Sequence, residues 1–95
     1  MSYEVLLHPD DDGFLRRLDD KSERIVRDNL RKLTENPYPG SGKGDKEKLV
    51  IDGDERYRIH ISREYTAFYD VYEEKNEVRV TEILPIDEAH KRYGY

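Results

Sequence analysis

Two stretches of this 95-residue chain carry side chains able to move protons or hold phosphate. The first is Tyr57-Arg58-Ile59-His60-Ile61-Ser62. Arg58 and His60 stand two apart, so on an extended strand both leave the same side of a sheet. A guanidinium beside an imidazole makes a basic, proton-active surface wherever that side is uncovered. The same alternation also describes an ordinary solvated strand face. The second stretch is the C-terminal Leu84–Tyr95. Asp87, His90, Lys91, Arg92 and Tyr93 there offer an acid, a proton shuttle, two cations and a phenol.

Other chemistries fit less well. The histidines His8, His60 and His90 lack the spacing of a metal site. No serine sits in a nucleophile-elbow motif. The absence of cysteine excludes disulfides, thiolate metal ligands and a thiol nucleophile. What remains is general acid–base work with cations clamping an anionic substrate, without metal or cofactor. Those are the needs of RNA cleavage through the 2′-hydroxyl. One group takes the 2′-OH proton, another protonates the leaving 5′-oxygen, and arginine or lysine stabilises the charged phosphorane.

The composition bounds the setting. The net charge of −5, from 17 basic and 22 acidic residues, argues against tight non-specific nucleic-acid binding but leaves room for a local basic patch. The charged share of 41% suits either surface ion-pair networks or an ordinary solvated surface. No run is long enough to span a membrane, and the start "MSYEVLLHPDDD" does not read as a signal peptide. A cytoplasmic chain with no membrane partner is the expectation. The length suits one domain, residues 1–95.

Several elements must position the reactive residues. Ser2–His8 reads as a strand ending at Pro9. Asp10–Asp12 are N-cap candidates for a first helix carrying Phe14, Leu15 and Leu18 on one face. Ile25, Val26, Leu30 and Leu33 give a second helix, capped by Asp20 or Ser22 and stopped by Pro37. Asn36–Lys48 reads as a connector, since it lacks the Gly-Lys-Ser/Thr ending of a phosphate-binding loop. Lys48–Ile51, Arg56–Ser62, Arg63–Glu74 and Glu77–Pro85 then read as strands. In the central two, Tyr57, Ile59, Ile61, Tyr65, Ala67, Tyr69 and Val71 alternate with Arg58, His60, Ser62, Thr66, Phe68, Asp70 and Tyr72. The fold class is α+β: an N-terminal strand, a two-helix hairpin, an antiparallel meander packed against it and a short C-terminal tail.

The order of parts is similar to that of the RelE/ParE toxin superfamily, most of all to archaeal RelE-type toxins. The likeness runs through "LTENP", "KL", "YRIHI", "EYTAFYDV", "VRVTEIL" and the C-terminal tyrosine. It implies a toxin that cuts mRNA on the ribosome and is neutralised by a cognate antitoxin. By that resemblance Lys48 matches the lysine opening the sheet, Arg58 a cation that contacts RNA, His60 a further basic position and Tyr93 the tyrosine acting on the 2′-OH. His90 and Lys91 are neighbouring stand-ins, Arg92 adds a cation, and Arg63 substitutes for an arginine of the next strand. That arginine's own place holds Thr66, and Asp87 stands near a second. Two alternatives stay open: a degenerate RelE-fold protein acting by protein binding, and a ParE-type gyrase inhibitor.

Overall fold

The computed structural model describes residues 2–39 and 46–93, without the side chains of Ile51, Arg92 and Tyr93. Strand β1 (Glu4–Leu7) leads into helix α1 (Pro9–Arg16) and helix α2 (Asp20–Arg31), which tightens into a 3-10 turn over Lys32–Thr34. The middle of the expected 36–48 connector lies outside the described residues, and strand β2 (Lys46–Ile51) takes up its last part. Strands β3 (Asp54–Ile61), β4 (Tyr65–Tyr72) and β5 (Glu77–Pro85) follow, then helix α3 (Ile86–Tyr93).

Local chemistry sets the helix starts, each earlier than the sequence suggests. Pro9 takes the first turn of α1, where a missing N–H goes unnoticed. Its cap is His8, whose Nδ1 accepts the Asp10 N–H at 3.1 Å. Asp10, Asp11 and Asp12 lie inside the first turn, where their charge meets the positive end of the helix dipole. Asp19, rather than Asp20 or Ser22, caps α2 by accepting the Ser22 N–H at 3.2 Å.

The strands form a five-stranded sheet in the order β1-β5-β4-β3-β2. β2 to β5 are the antiparallel meander, and β1 adds to it in parallel beside β5. Asp52 and Gly53, both at positive φ (52° and 85°), make the two-residue turn between β2 and β3. That turn fixes the register Ile51↔Asp54 through Lys46↔Ile59.

The alternation read from sequence holds on β3 and β4. Ile59, Ile61, Ala67 and Tyr69 join Leu15, Val26, Leu30, Leu33, Val78, Val80 and Ile83 in the main core beneath α1 and α2. A bulge at Thr81 keeps β5 in phase. Phe68 pairs with Glu82 but Tyr69 with Val80, so Val80 and Ile83 reach the same core despite their odd spacing. Near the bulge, Asp11 accepts the Ile83 N–H at 3.2 Å, tying α1 to β5.

The expected short tail is in fact helix α3. It packs on the opposite face, where Ala89 closes a second cluster with Leu49, Phe68 and Leu84. Its first turn is tied to the β3–β4 turn by the Ile86 N–H donating to the Glu64 carbonyl at 2.9 Å. The sheet therefore carries α1 and α2 on one side and α3 over part of the other.

Candidate functional site

Cross-strand pairing places the chemistry on the α3 side of the sheet. Glu47 on β2, Arg58 on β3 and Phe68 on β4 form one row. His60, Thr66 and Leu84 form the next. Arg58 is buried, with its Nη2 at 2.6 Å and its Nε at 3.2 Å from Glu47 Oε2. The other carboxylate oxygen of Glu47 lies 3.7 Å from His60 Nε2. One carboxylate thus spans the two residues that the alternation puts side by side.

Beyond His60 the face opens into a groove of about 480 Å³. His60 lines it from β3, Ser62 and Arg63 from the β3–β4 turn, and Ile86 and His90 from α3. The hydrogen bond from Ile86 to Glu64 fixes the turn against the helix, so the two walls are held together. Ser62 and Arg63 sit at positive φ (55° and 65°), a conformation costly for residues with a Cβ. That backbone puts the exposed Arg63 at the rim.

The groove unites His60, Arg63 and His90, with Arg58 one row away. Lys91 is exposed on α3, and Arg92 and Tyr93 complete the helix, their side chains lying outside the described residues. Lys48 does not join them. It pairs with Tyr57 on the α1–α2 side of the sheet, and its Nζ lies 3.1 Å from Glu55, whose carboxylate raises the ammonium pKa. The reason is strand parity: Lys48 is one residue from Glu47 and so faces the other way. Thr66 is buried opposite His60, its hydroxyl donating to the Ile59 carbonyl at 3.3 Å. Asp87 is exposed in the first turn of α3, where its charge complements the helix dipole.

The sequence reading missed Glu47, Ser62 and Ile86. Glu47 did have a signal: counting outward equally from the Asp52–Gly53 turn sets it opposite Arg58. Two further arginines of this face are also matched to carboxylates. Arg56 lies 3.4 Å from Asp70, and Arg79 lies 2.9 Å from Glu77 while covering the Tyr72 ring at 4.2 Å. Among the described residues, no cluster of three or more His, Asp or Glu side chains is arranged to hold a metal ion. No described helix is long and apolar enough to cross a membrane.

No protein-family model matches the chain, and no curated protein matches it in sequence. Solved structures do. The archaeal RelE–RelB complex from Pyrococcus horikoshii OT3 contains a chain with a TM-score of 0.73 at 26% identity, over 90% of this chain and 96% of that one. The intact E. coli RelBE toxin–antitoxin complex gives 0.58 at 20% identity, over 86% and 94%. The isolated E. coli RelE toxin gives 0.59 at 21%, over 96% and 98%. The chain thus has the fold seen in these RelE structures. The resemblance to the RelE/ParE toxin superfamily runs through nearly the whole chain, and the archaeal likeness exceeds the two from E. coli.

Proposed function

We propose that the chain is a RelE-like toxin of a toxin–antitoxin pair, a ribosome-dependent endoribonuclease that cuts mRNA and so inhibits translation. The observation that carries this reading is the groove in which His60, Arg63 and His90 converge beside Arg58. It lies on the sheet face that α1 and α2 leave uncovered. The likeness to RelE structures, two of them complexes with an antitoxin, supports it.

The chemistry follows from the residue types. The 2′-oxygen attacks phosphorus, the bond to the 5′-oxygen breaks, and the leaving oxygen takes up a proton. His60 and His90 stand on opposite walls of the groove, which suits one to accept the 2′-OH proton and the other to donate to the leaving group. By resemblance, Tyr93 acts on the 2′-OH as well. Arg58 and Arg63 neutralise the phosphorane, and Lys91 and Arg92 supply further positive charge from α3. Lys48 faces away and takes no part in cutting. The proposed partner is an antitoxin, a short chain that folds on binding.

The test is mRNA cutting in a translating extract, read by mapping the new ends. Cut products should carry 5′-hydroxyl ends, and Tyr93→Phe should slow their appearance at least about tenfold. Intact mRNA on translating ribosomes would sink the proposal. One pair of observations favours a second reading, a non-cutting member that acts by protein binding. Glu47 already holds Arg58, and Thr66 is buried where the family carries an arginine. That reading predicts stable capture of an antitoxin helix without growth arrest. Arrest relieved by a single change in α3 would count against it.

A further inference from the structure

Arg58 and its carboxylate partner are unequal in a telling way. The Arg58 side chain is 9% exposed, fixed between β2 and β4, while Glu47 is 46% exposed at the edge of the sheet. Two guanidinium nitrogens converge on one Glu47 oxygen, and the other oxygen turns toward His60. A planar fork with an imidazole beside it is also the arrangement that receives a phosphodiester. RNA cannot reach Arg58 while Glu47 is there, because two anions would compete for the same donors. Glu47 has solvent to swing into, and Arg58 does not.

We propose that Glu47 is an internal stand-in for phosphate: its carboxylate occupies the anion site formed by Arg58 and His60 and is exchanged for a backbone phosphate when RNA enters. The inference rests on the RNA-cutting reading but concerns binding, not the chemical step. Glu47 then sets which ligands enter. A single weak anion does not displace a carboxylate held at 2.6 Å, whereas an RNA strand held at several other points does. The strand pairing of β2 need not change, since a rotation of one side chain frees the site.

The experiment measures binding of a short single-stranded RNA, 2′-O-methylated so that it cannot be cut, to the full chain. Glu47→Gln keeps the shape and an acceptor for Arg58 but removes the charge. It should bind the RNA about tenfold more tightly than the unchanged chain. Adding Arg58→Gln to Glu47→Gln should abolish the gain, and thermal unfolding reports whether each variant is folded. Equal or weaker binding by a folded Glu47→Gln chain overturns the proposal, as does a gain that survives the loss of Arg58. Should Glu47→Gln fold poorly, Glu47→Asp shortens the reach toward Arg58 and should also tighten binding, and its failure to do so is equally decisive. The two readings fail separately. A chain that cuts mRNA but gains nothing from Glu47→Gln keeps its proposed function and loses this inference. One that gains RNA affinity through Arg58 but never cuts loses the function and keeps the inference.

Discussion

On the side of α1 and α2, the central strands present Ile59, Ile61, Ala67 and Tyr69 to an apolar layer of Leu15, Val26, Leu30 and Leu33. On the other side, the alternate residues of the same strands are Arg56, Arg58, His60, Thr66, Phe68 and Asp70, and α3 covers only one end. Stability on the first side comes from apolar burial, which is non-directional. On the second the apolar cluster of Leu49, Phe68, Leu84 and Ala89 is small, and charge pairs such as Arg58–Glu47 and Arg56–Asp70 lie beside it. The lesson is a division of labour by strand parity. One set of side chains forms the main core, and the proposed binding and chemistry fall to polar members of the set between them.

The largest effect should come from the core. Leu15 is fully buried beneath the sheet, so Leu15→Ala should cost about 2–5 kcal/mol of unfolding free energy. Denaturant unfolding reads the loss directly. Cutting per folded molecule should stay unchanged, because Leu15 belongs to the core on the other side of the sheet from the groove. Activity that falls in the folded fraction would break the division by parity.

The second test runs the other way. His60 is half-buried and His90 exposed, so neither holds up the core. His90→Ala should slow mRNA cutting about a hundredfold while stability stays within about 0.5 kcal/mol. A folded variant that cuts normally would remove His90 from the chemistry. Lys48→Ala is the parity control: one strand position from Glu47 but on the other face, it should leave cutting intact.

Parity explains why the two faces of β3 and β4 were legible in the sequence. A strict two-residue period needs no tertiary knowledge to assign Ile59 and Arg58 to opposite sides. Resemblance alone sets Lys48 beside Arg58, whereas the register fixed by the Asp52–Gly53 turn pairs Arg58 with Glu47 and puts Lys48 on the other face. α3 was harder to see. Among its described side chains only Ala89 is fully buried, and it contributes little apolar signal; the helix shows itself through packing with Phe68 and Leu84. The Thr81 bulge left no mark either, beyond the broken alternation from Val80 to Ile83.

The neighbours Asp11 and Asp12 sharpen the comparison through pH. Burial is the main influence on Asp11 and raises its carboxyl above the ordinary range, against the weaker pull of the Ile83 N–H. The folded state then holds this proton more tightly than the unfolded chain. Its contribution to stability is complete below the ordinary carboxylate range and is lost as pH rises through the folded value. Asp12 does the reverse. The hydrogen bond from Arg27, at 3.0 Å, is the largest influence and lowers its carboxyl, so its contribution is present above the ordinary range and lost as pH falls. Asp11→Asn, which keeps an acceptor for Ile83, should flatten the decline of stability above the carboxylate range. Asp12→Asn should flatten the decline below it. Urea midpoints measured across that range decide the matter, and identical profiles for both variants would refute the assignment.

The smallest effect tests whether the groove gives up stability for function. Ser62 and Arg63 are adjacent, both left-handed, and both line the groove, but only Arg63 carries charge. Relief of a left-handed backbone is worth about 1 kcal/mol, and glycine's greater unfolded freedom returns roughly 0.5 kcal/mol of it. Ser62→Gly and Arg63→Gly should therefore stabilise the chain by similar small amounts, visible as a modest rise in the urea midpoint. They should part company on RNA. Arg63→Gly removes one phosphate contact, so the slope of log affinity against log salt should shrink by about 0.7 for a single strand, and cutting should slow. Ser62→Gly should leave that slope alone. If Arg63→Gly is more stable and binds RNA with an unchanged slope, the strain at the turn has no part in RNA binding. If instead stability falls in both variants, the turn is held by contacts that outweigh its backbone cost, and the exposed rim owes its shape to packing against α3.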